Sequence, residues 1–429
     1  MRRIIWLSGL CSILLILSVA CGAQTPISKA PAGESLYVLD TSNPATNGYA
    51  GSHIIAFHPD STTASMTLPT GLFSQDHKRI YSAVPQGTQT IITITNALTG
   101  STMRSFTVAG SYSTAGTPYT TSDIATDGRW LALRATDQAG GTIALIDTQK
   151  ERLAKTLNLG LNFYLDAVSP DGGTLFLLQY LPGQNGRYYV RSYDVKASRL
   201  NDGIIADKDE VNDPRMLGSA LTRQVAPDGK FAYTLYVDTT RNIAFVHMLP
   251  LVQGNNLPYP PNIARCLDLP LGKSAQLLRY YTLALSNDGS TLYAANGALG
   301  IIAEIALSNT VFDSHVSLVK HFDPGQVSSN SNGNAQPLYN GAALSPDNKT
   351  LYFAGAQGIW SLHTNDIQVE KSYLTQQAFT GIALSSDGRT LYAVHPQSGI
   401  TLIDLASGQA TQVTQSPVHN PWGIVWVAG

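Results

Sequence analysis

A ten-residue pattern that returns along the chain restricts its fold more than any other feature. Ala167-Val168-Ser169-Pro170-Asp171-Gly172-Gly173-Thr174-Leu175-Phe176 recurs from Ala343 to Tyr352, from Ala383 to Tyr392 and from Ala284 to Tyr293, with looser copies around Asp127-Gly128 and Asp228-Gly229. Each copy reads as a short apolar strand, a tight turn and a second strand rich in Leu, Tyr, Phe and Val. Asp-Gly suits the turn because the Asp carboxylate bonds nearby backbone N–H groups and Gly accepts positive φ without steric cost. Two more strand-like runs follow each hairpin, shown by Gly399 to Leu405 and Gln409 to Gln415 in the last unit. The unit is therefore four strands long, and a regular repeat of this kind implies one stacked array in place of several unrelated domains.

The unit resembles the YVTN-type and WD-like propeller repeats, in which a Pro-Asp-Gly turn joins the innermost strand of a blade to the second. The resemblance implies an all-β fold, a β-propeller of about eight four-stranded blades. Second strands are expected at Leu36–Asp40, Arg79–Pro85, Trp130–Ala135, Thr174–Gln179, Phe231–Val237, Thr291–Ala295, Thr350–Ala354 and Thr390–His395. A seven-bladed ring is the alternative if the Arg79 unit is irregular. The first unit lacks an inner strand, whereas Gly423-Ile424-Val425-Trp426-Val427 follows the last unit and matches Gly381 to Ser385. The C-terminal strand is therefore expected to pair with the N-terminal blade and close the ring, which protects its sheet edges.

The N-terminus reads as a targeting segment over residues 1–20, with Arg2 and Arg3 ahead of an apolar run from Ile4 to Ala20. Leu17-Ser18-Val19-Ala20-Cys21 resembles a bacterial lipobox, with Ser18 where Leu is more usual. Lipidation of Cys21 would make the protein an exported, membrane-anchored lipoprotein, with residues 21–32 as tether and 33–429 as the propeller domain. Ordinary cleavage, giving a secreted protein, and an uncleaved anchor helix are the alternatives. Cys11 falls in the targeting segment and Cys266 alone remains in the body, so no intrachain disulfide can form in the mature domain.

A net charge of −2 with 13% charged residues argues against a nucleic-acid surface, which needs a basic stripe. His-Glu-x-x-His, Cys-x-x-Cys-His and Gly-x-Ser-x-Gly are absent from the sequence, and no cofactor is implied. Gly272-Lys273-Ser274 imitates the end of a phosphate-binding loop, but Leu267 stands where its first Gly is needed.

Strand order places the loops joining second to third strands and blade to blade on one face, with the tight turns on the other. The long segments Thr41–Gly51, Gly110–Thr121, Leu181–Gly186, Asp207–Ser219 and Asp323–Leu338 all fall on the first face. Rigid scaffolds carry function on such loops. Five residues before the turn Asp, the inner strands hold Leu283, Ala342 and Ile382, yet Asp166 and Arg223 in two successive blades. These two are expected to pair near the channel mouth, either orienting a polar ligand or relieving two semi-buried charges. Tyr112, Tyr119, Tyr180 and Tyr339 lie in or beside the loop face and could stack on a sugar or peptide. Asp207, Asp209, Glu210 and Asp213 could offer oxygen ligands to Ca²⁺, although their spacing departs from the EF-hand pattern and a solvated acidic loop is the simpler reading.

The leading expectation is a monomeric, non-catalytic binding or scaffold propeller that engages a protein, peptide or glycan. Its ligand contacts would come from Asp166, Arg223, Tyr180, His321, Asp323 and Tyr339, with membrane contact through the lipid alone. The alternative is an extracytoplasmic propeller enzyme such as a lactonase-like hydrolase, with Asp166, Arg223 and carboxylates of residues 207–213 around the channel mouth. Convergence of those side chains with His321 or Asp323 in one concave pocket would favour the enzyme.

Overall fold

The repeat folds as a hairpin because its polar residues form a closed hydrogen-bonded box at the turn. Ser169 Oγ donates to Asp171 Oδ1 (2.6 Å) and accepts from Thr174 N (2.9 Å), while Asp171 Oδ1 also accepts from Gly173 N (2.9 Å). The same box recurs at Ser286, Ser345 and Ser385. Gly172 holds the left-handed position of its turn at φ 69°. A Cβ there would also stand 2.3 Å from the Trp130 ring of the preceding blade, so this glycine lets neighbouring turns pack.

The computed structural model describes residues 30–41, 52–114, 122–136, 141–252, 262–325, 338, 340–395, 399–413 and 416–429. Among them, eight four-stranded antiparallel units can be traced. Blade 1 contains Ser35–Asp40, His53–Phe57 and Met66–Pro69, and blade 2 contains Leu72–Phe73, Arg79–Gln86, Gln89–Asn96 and Thr102–Ala109. Blade 3 runs from Ser122–Ile124 to Arg152–Asn158, blade 4 from Phe163–Val168 to Arg199–Asp207, and blade 5 from Ser219–Val225 to Ile263–Asp268. Blade 6 runs from Tyr281–Leu285 to His315–His321, blade 7 from Ala342–Leu344 to Gln368–Tyr373, and blade 8 from Gly381–Leu384 to Ala410–Gln412. All eight expected second strands are present, including the Arg79 strand that left seven blades open.

Strand Pro421–Ala428 supplies the inner strand that blade 1 lacks, with Ser35 opposite Ala428, Leu36 opposite Val427 and Tyr37 opposite Trp426. Just before that seam, fully buried Glu34 accepts from Ser386 N (2.6 Å) and from the Tyr392 hydroxyl of blade 8. The ring is thus closed by a β-ladder within blade 1 and by a carboxylate between blades 8 and 1.

Apolar side chains fill the interfaces between neighbouring blades. Leu177 and Leu165 meet Leu145 between blades 3 and 4, Tyr236 and Phe176 meet between blades 4 and 5, and Val394 and Leu36 meet between blades 8 and 1. Second strands are buried on both faces, which is why Leu175-Phe176-Leu177-Leu178 reads as a continuous apolar run. Outer strands such as Thr102–Ala109 are largely exposed.

Blades 4 and 5 depart from the expected separation. Their outer strands pair in parallel, Ala206 with Ile263 and Asp207 with Ala264, and merge the two blades into one eight-stranded sheet. The one helical segment among the described residues is the short 3-10 turn Ala275–Tyr280, and no helix there is long and apolar enough to cross a membrane.

Candidate functional site

Three consecutive inner strands bring their charged side chains to one point. In blade 4 a β-bulge between Leu165 and Ala167 leaves Asp166 outside the ladder, and in blade 5 a second irregularity follows Ala220. Bulges re-aim a side chain in this way. The Arg223 guanidinium donates through Nε to Thr234 Oγ1 (2.8 Å), through Nη1 to the Asp166 carbonyl (2.7 Å) and through Nη2 to Asp166 Oδ1. The pair is sealed, at 4% and 1% side-chain exposure. Burial would lower the Arg223 pKa, but the carboxylates of Asp166 and Asp123 more than offset it and hold the value above the ordinary range.

Asp123, on the inner strand of blade 3, completes the cluster and was missed by the sequence reading. Its Oδ1 stands 3.9 Å from Arg223 Nη1, and its Oδ2 accepts from Val168 N (2.8 Å). Burial raises its pKa to about 6 against the opposing pull of Arg223. The available signal was an Asp four residues before the turn residue Asp127, one position away from the alignment that picked out Asp166 and Arg223.

The cluster borders a central cavity of about 410 Å³ lined by Leu39, Thr70, Thr114, Asp123, Gln224 and Asn340, among others. On the turn face, Gln75 of blade 2 reaches across the ring and donates to the Ala226 carbonyl of blade 5 (3.4 Å). A separate cleft of about 370 Å³ lies on the loop-rich face, where Tyr180, Asn185, Ser219, Asp238, Arg241 and Arg279 meet between blades 4, 5 and 6. Tyr180 is anchored there by ring contacts to Tyr164 (5.2 Å) and Tyr188 (5.3 Å). Arg241 is held by Asp238 and the Asn185 carbonyl, whereas Arg279 is exposed.

The remaining sequence candidates lie elsewhere. His321 ends the outer strand of blade 6 and borders a third cavity, of about 470 Å³, with Lys320 and Asp366. Asp323 caps its own loop by accepting from Gly325 N (2.9 Å). Tyr112 is buried and bridges to Ala135, so it packs and is not offered to a ligand. Tyr119, Tyr339 and Cys21 fall outside the described residues. In the acidic loop, Asp207 accepts from Asp209 N and Cys266 N (both 3.0 Å), and Asp209 pairs with Lys208 and Arg265. Asp213 pairs with Arg215 (2.6 Å), whose hydrogen bonds pull its pKa down to about 2. Glu210 is exposed. Asp207, Asp209 and Asp213 turn to basic or backbone partners, and among the described residues no three His, Cys, Asp or Glu side chains are grouped to hold a metal. Cys266 is a free thiol whose pKa is raised by burial and by Asp207.

No family model matches the chain, and no curated protein does. Similar solved structures include the periplasmic gluconolactonase PpgL of Pseudomonas aeruginosa, 15% identical over 77% of this chain and 94% of that one, with a TM-score of 0.38. The Swd1 β-propeller domain of Myceliophteria thermophila is 10% identical over 79% and 98%, with a TM-score of 0.42. Hydrazine synthase of Kuenenia stuttgartiensis is 13% identical over 78% and 94%, with a TM-score of 0.37. Likeness at this level carries no argument about activity, and function must be argued from the chain's own residues.

Proposed function

We propose that this chain is an exported, lipid-tethered binding propeller that engages a protein, peptide or glycan through its loop-rich face. The observation that supports this reading is dispersal. Asp166 and Arg223 are paired with each other, Asp207, Asp209 and Asp213 face basic or backbone partners, and His321 and Asp323 stand at the outer edge of blade 6. A hydrolase would need a nucleophile or base and a charge-stabilising group around one pocket, and the carboxylates of residues 207–213, His321 and Asp323 do not join Asp166 and Arg223 at theirs. The loop-rich face instead offers a cleft with a rigid aromatic, Tyr180, and an exposed cation, Arg279. Tyr and Arg are the residue types that dominate binding energy at interfaces. Lipidation at Cys21 would hold this face outside the cell membrane, and the small polar residues that follow it would act as the tether.

The test compares the two faces. Immobilised protein is challenged with envelope extract, and the retained material is compared with that held by Tyr180→Ala/Arg279→Glu and by Lys349→Glu on the turn face. Retention should fall about tenfold or more for the first variant and stay unchanged for the second. Equal retention by all three proteins would overturn the reading.

A further inference from the structure

The central cavity is separate from the loop-rich cleft, and its chemistry is more specific. Its volume of about 410 Å³ lies within the ~300–1,000 Å³ range of small-molecule sites. The charge that faces it is decided by exposure. Asp123 is 22% exposed, whereas Arg223 is 4% and Asp166 1% exposed. Arg223 also borders the cavity, but it is directed to Thr234 and Asp166 through Nε, Nη1 and Nη2, so little of its charge is presented there. Two carboxylates share one guanidinium, and the excess negative charge sits on Asp123. Its Oδ1, 3.9 Å from Arg223, is too far for a direct hydrogen bond to that cation.

The rest of the lining adds neutral polar groups and no exposed Lys or Arg. Gln224 and Asn340 each donate one amide N–H to a backbone carbonyl, of Leu283 (3.5 Å) and Ile424 (3.0 Å), which leaves the amide oxygen to accept and the second N–H to donate to a hydroxyl. Thr70 and Thr114 contribute hydroxyls, and Leu39 and Val425 contribute apolar wall. His77, the third titratable side chain on the lining beside Asp123 and Arg223, is pushed toward its neutral form by burial. An anion entering here would meet a cluster in which one guanidinium faces two carboxylates, a net negative charge. A cation would neutralise the cluster.

We propose that the central cavity binds a small hydroxylated organic cation, a primary ammonium compound whose charge is met by Asp123 and whose hydroxyls are met by Gln224, Asn340 and the threonines. Binding then depends on the ionised form of Asp123, which is faced by Arg223 from blade 5 and Asp166 from blade 4, with His77 on the same cavity. Because burial raises the Asp123 pKa to about 6, affinity rises as the pH passes upward through that value.

Three probes of one size distinguish the possibilities by calorimetry on the full chain: glucosamine, glucose and glucuronate. At about pH 7.5, glucosamine should bind at least about tenfold more tightly than glucose, with glucuronate weakest. At about pH 5, the glucosamine preference should shrink. Asp123→Asn should abolish the preference while keeping the acceptor for Val168 N, and Thr70→Lys, which places a fixed cation in the same cavity, should abolish glucosamine binding by a route that leaves the cluster intact. Tyr180→Ala/Arg279→Glu should leave it unchanged, so failure of the loop-face reading and failure of this one are told apart. Equal affinity for glucose and glucosamine, unaltered glucosamine binding in Asp123→Asn, or no glucosamine binding would each overturn the proposal.

Discussion

Replacing Arg223 by leucine should lower the stability of the propeller by about 3–5 kcal/mol, the range for breaking a buried ion pair from one side. Asp166 is 1% exposed and its Oδ2 has no hydrogen-bond partner among the described residues, so its charge depends on the guanidinium. Thr234 Oγ1 would lose its donor as well. The cost arises from the charge left behind more than from the bond removed. Asp166→Leu made together with Arg223→Leu should therefore cost less than Arg223→Leu alone, and urea unfolding of the two single variants and the double reads this directly. A smaller loss in Arg223→Leu than in the double variant would show that the pair is not charge-coupled. Asp123 gives the cluster a pH signature. A carboxyl whose folded pKa is raised to about 6, above an unfolded value of about 3.9, binds its proton more tightly in the native state. It therefore removes stability as the pH rises between those values. The stability of Asp123→Asn relative to the parent should grow over that window and level off above it.

The second large effect is expected at the seam. Glu34→Ala should destabilise the ring by about 2–4 kcal/mol, because it strips a carboxylate acceptor from one buried hydroxyl and one part-buried backbone N–H. Those donors, Ser386 N and the Tyr392 hydroxyl, belong to blade 8, while Glu34 precedes the first strand of blade 1. Burial, together with the hydrogen bond and charge of Glu34, keeps the Tyr392 phenol protonated, with its pKa raised above the ordinary value. Tyr392→Phe leaves the fully buried Glu34 carboxylate with Ser386 N as its one donor among the described residues, so by the cost of a charge left behind it should destabilise at least as much as Glu34→Ala. Thermal unfolding of the two variants checks the order; a Glu34→Ala protein as stable as the parent would mean the carboxylate is not part of the closure.

Much of this architecture was legible because the turn chemistry is local. Ser345, Asp347 and Thr350 carry their box wherever they occur, and the buried second strands announce themselves as apolar runs. Blade 2 was the weakest reading because its turn is written with other residues. Ser74 and Asp76 make the same box (2.6 Å), but His77 occupies the left-handed position at φ 54°, where Gly or Asn stands in the other copies. Ring contacts to Trp426 and Phe73 hold that histidine in place. The parallel pairing of Ala206 with Ile263 was illegible, since it joins strands of two blades across a long excursion. Asp123 escaped for a related reason: bulges in blades 4 and 5 shift which residue points inward, so three acids and bases that fall out of register in the sequence meet in space. Polar substitutions on inner strands marked the neighbourhood, and only the backbone could show that Asp123 is the group left facing the cavity.

Closure of the ring requires the last strand to lie beside the first, and a single cross-link tests it. Ser35 and Ala428 are direct partners across an antiparallel ladder, and such partners stand at a Cα separation of about 4.5–5.5 Å, within disulfide reach. With Cys11, Cys21 and Cys266 replaced by serine, a chain carrying Ser35→Cys and Ala428→Cys should oxidise to an intrachain disulfide in the monomer, read by mass spectrometry of linked peptides. Two thiols that stay reduced under the same oxidant, or that couple only between molecules, would contradict a closed eight-bladed ring.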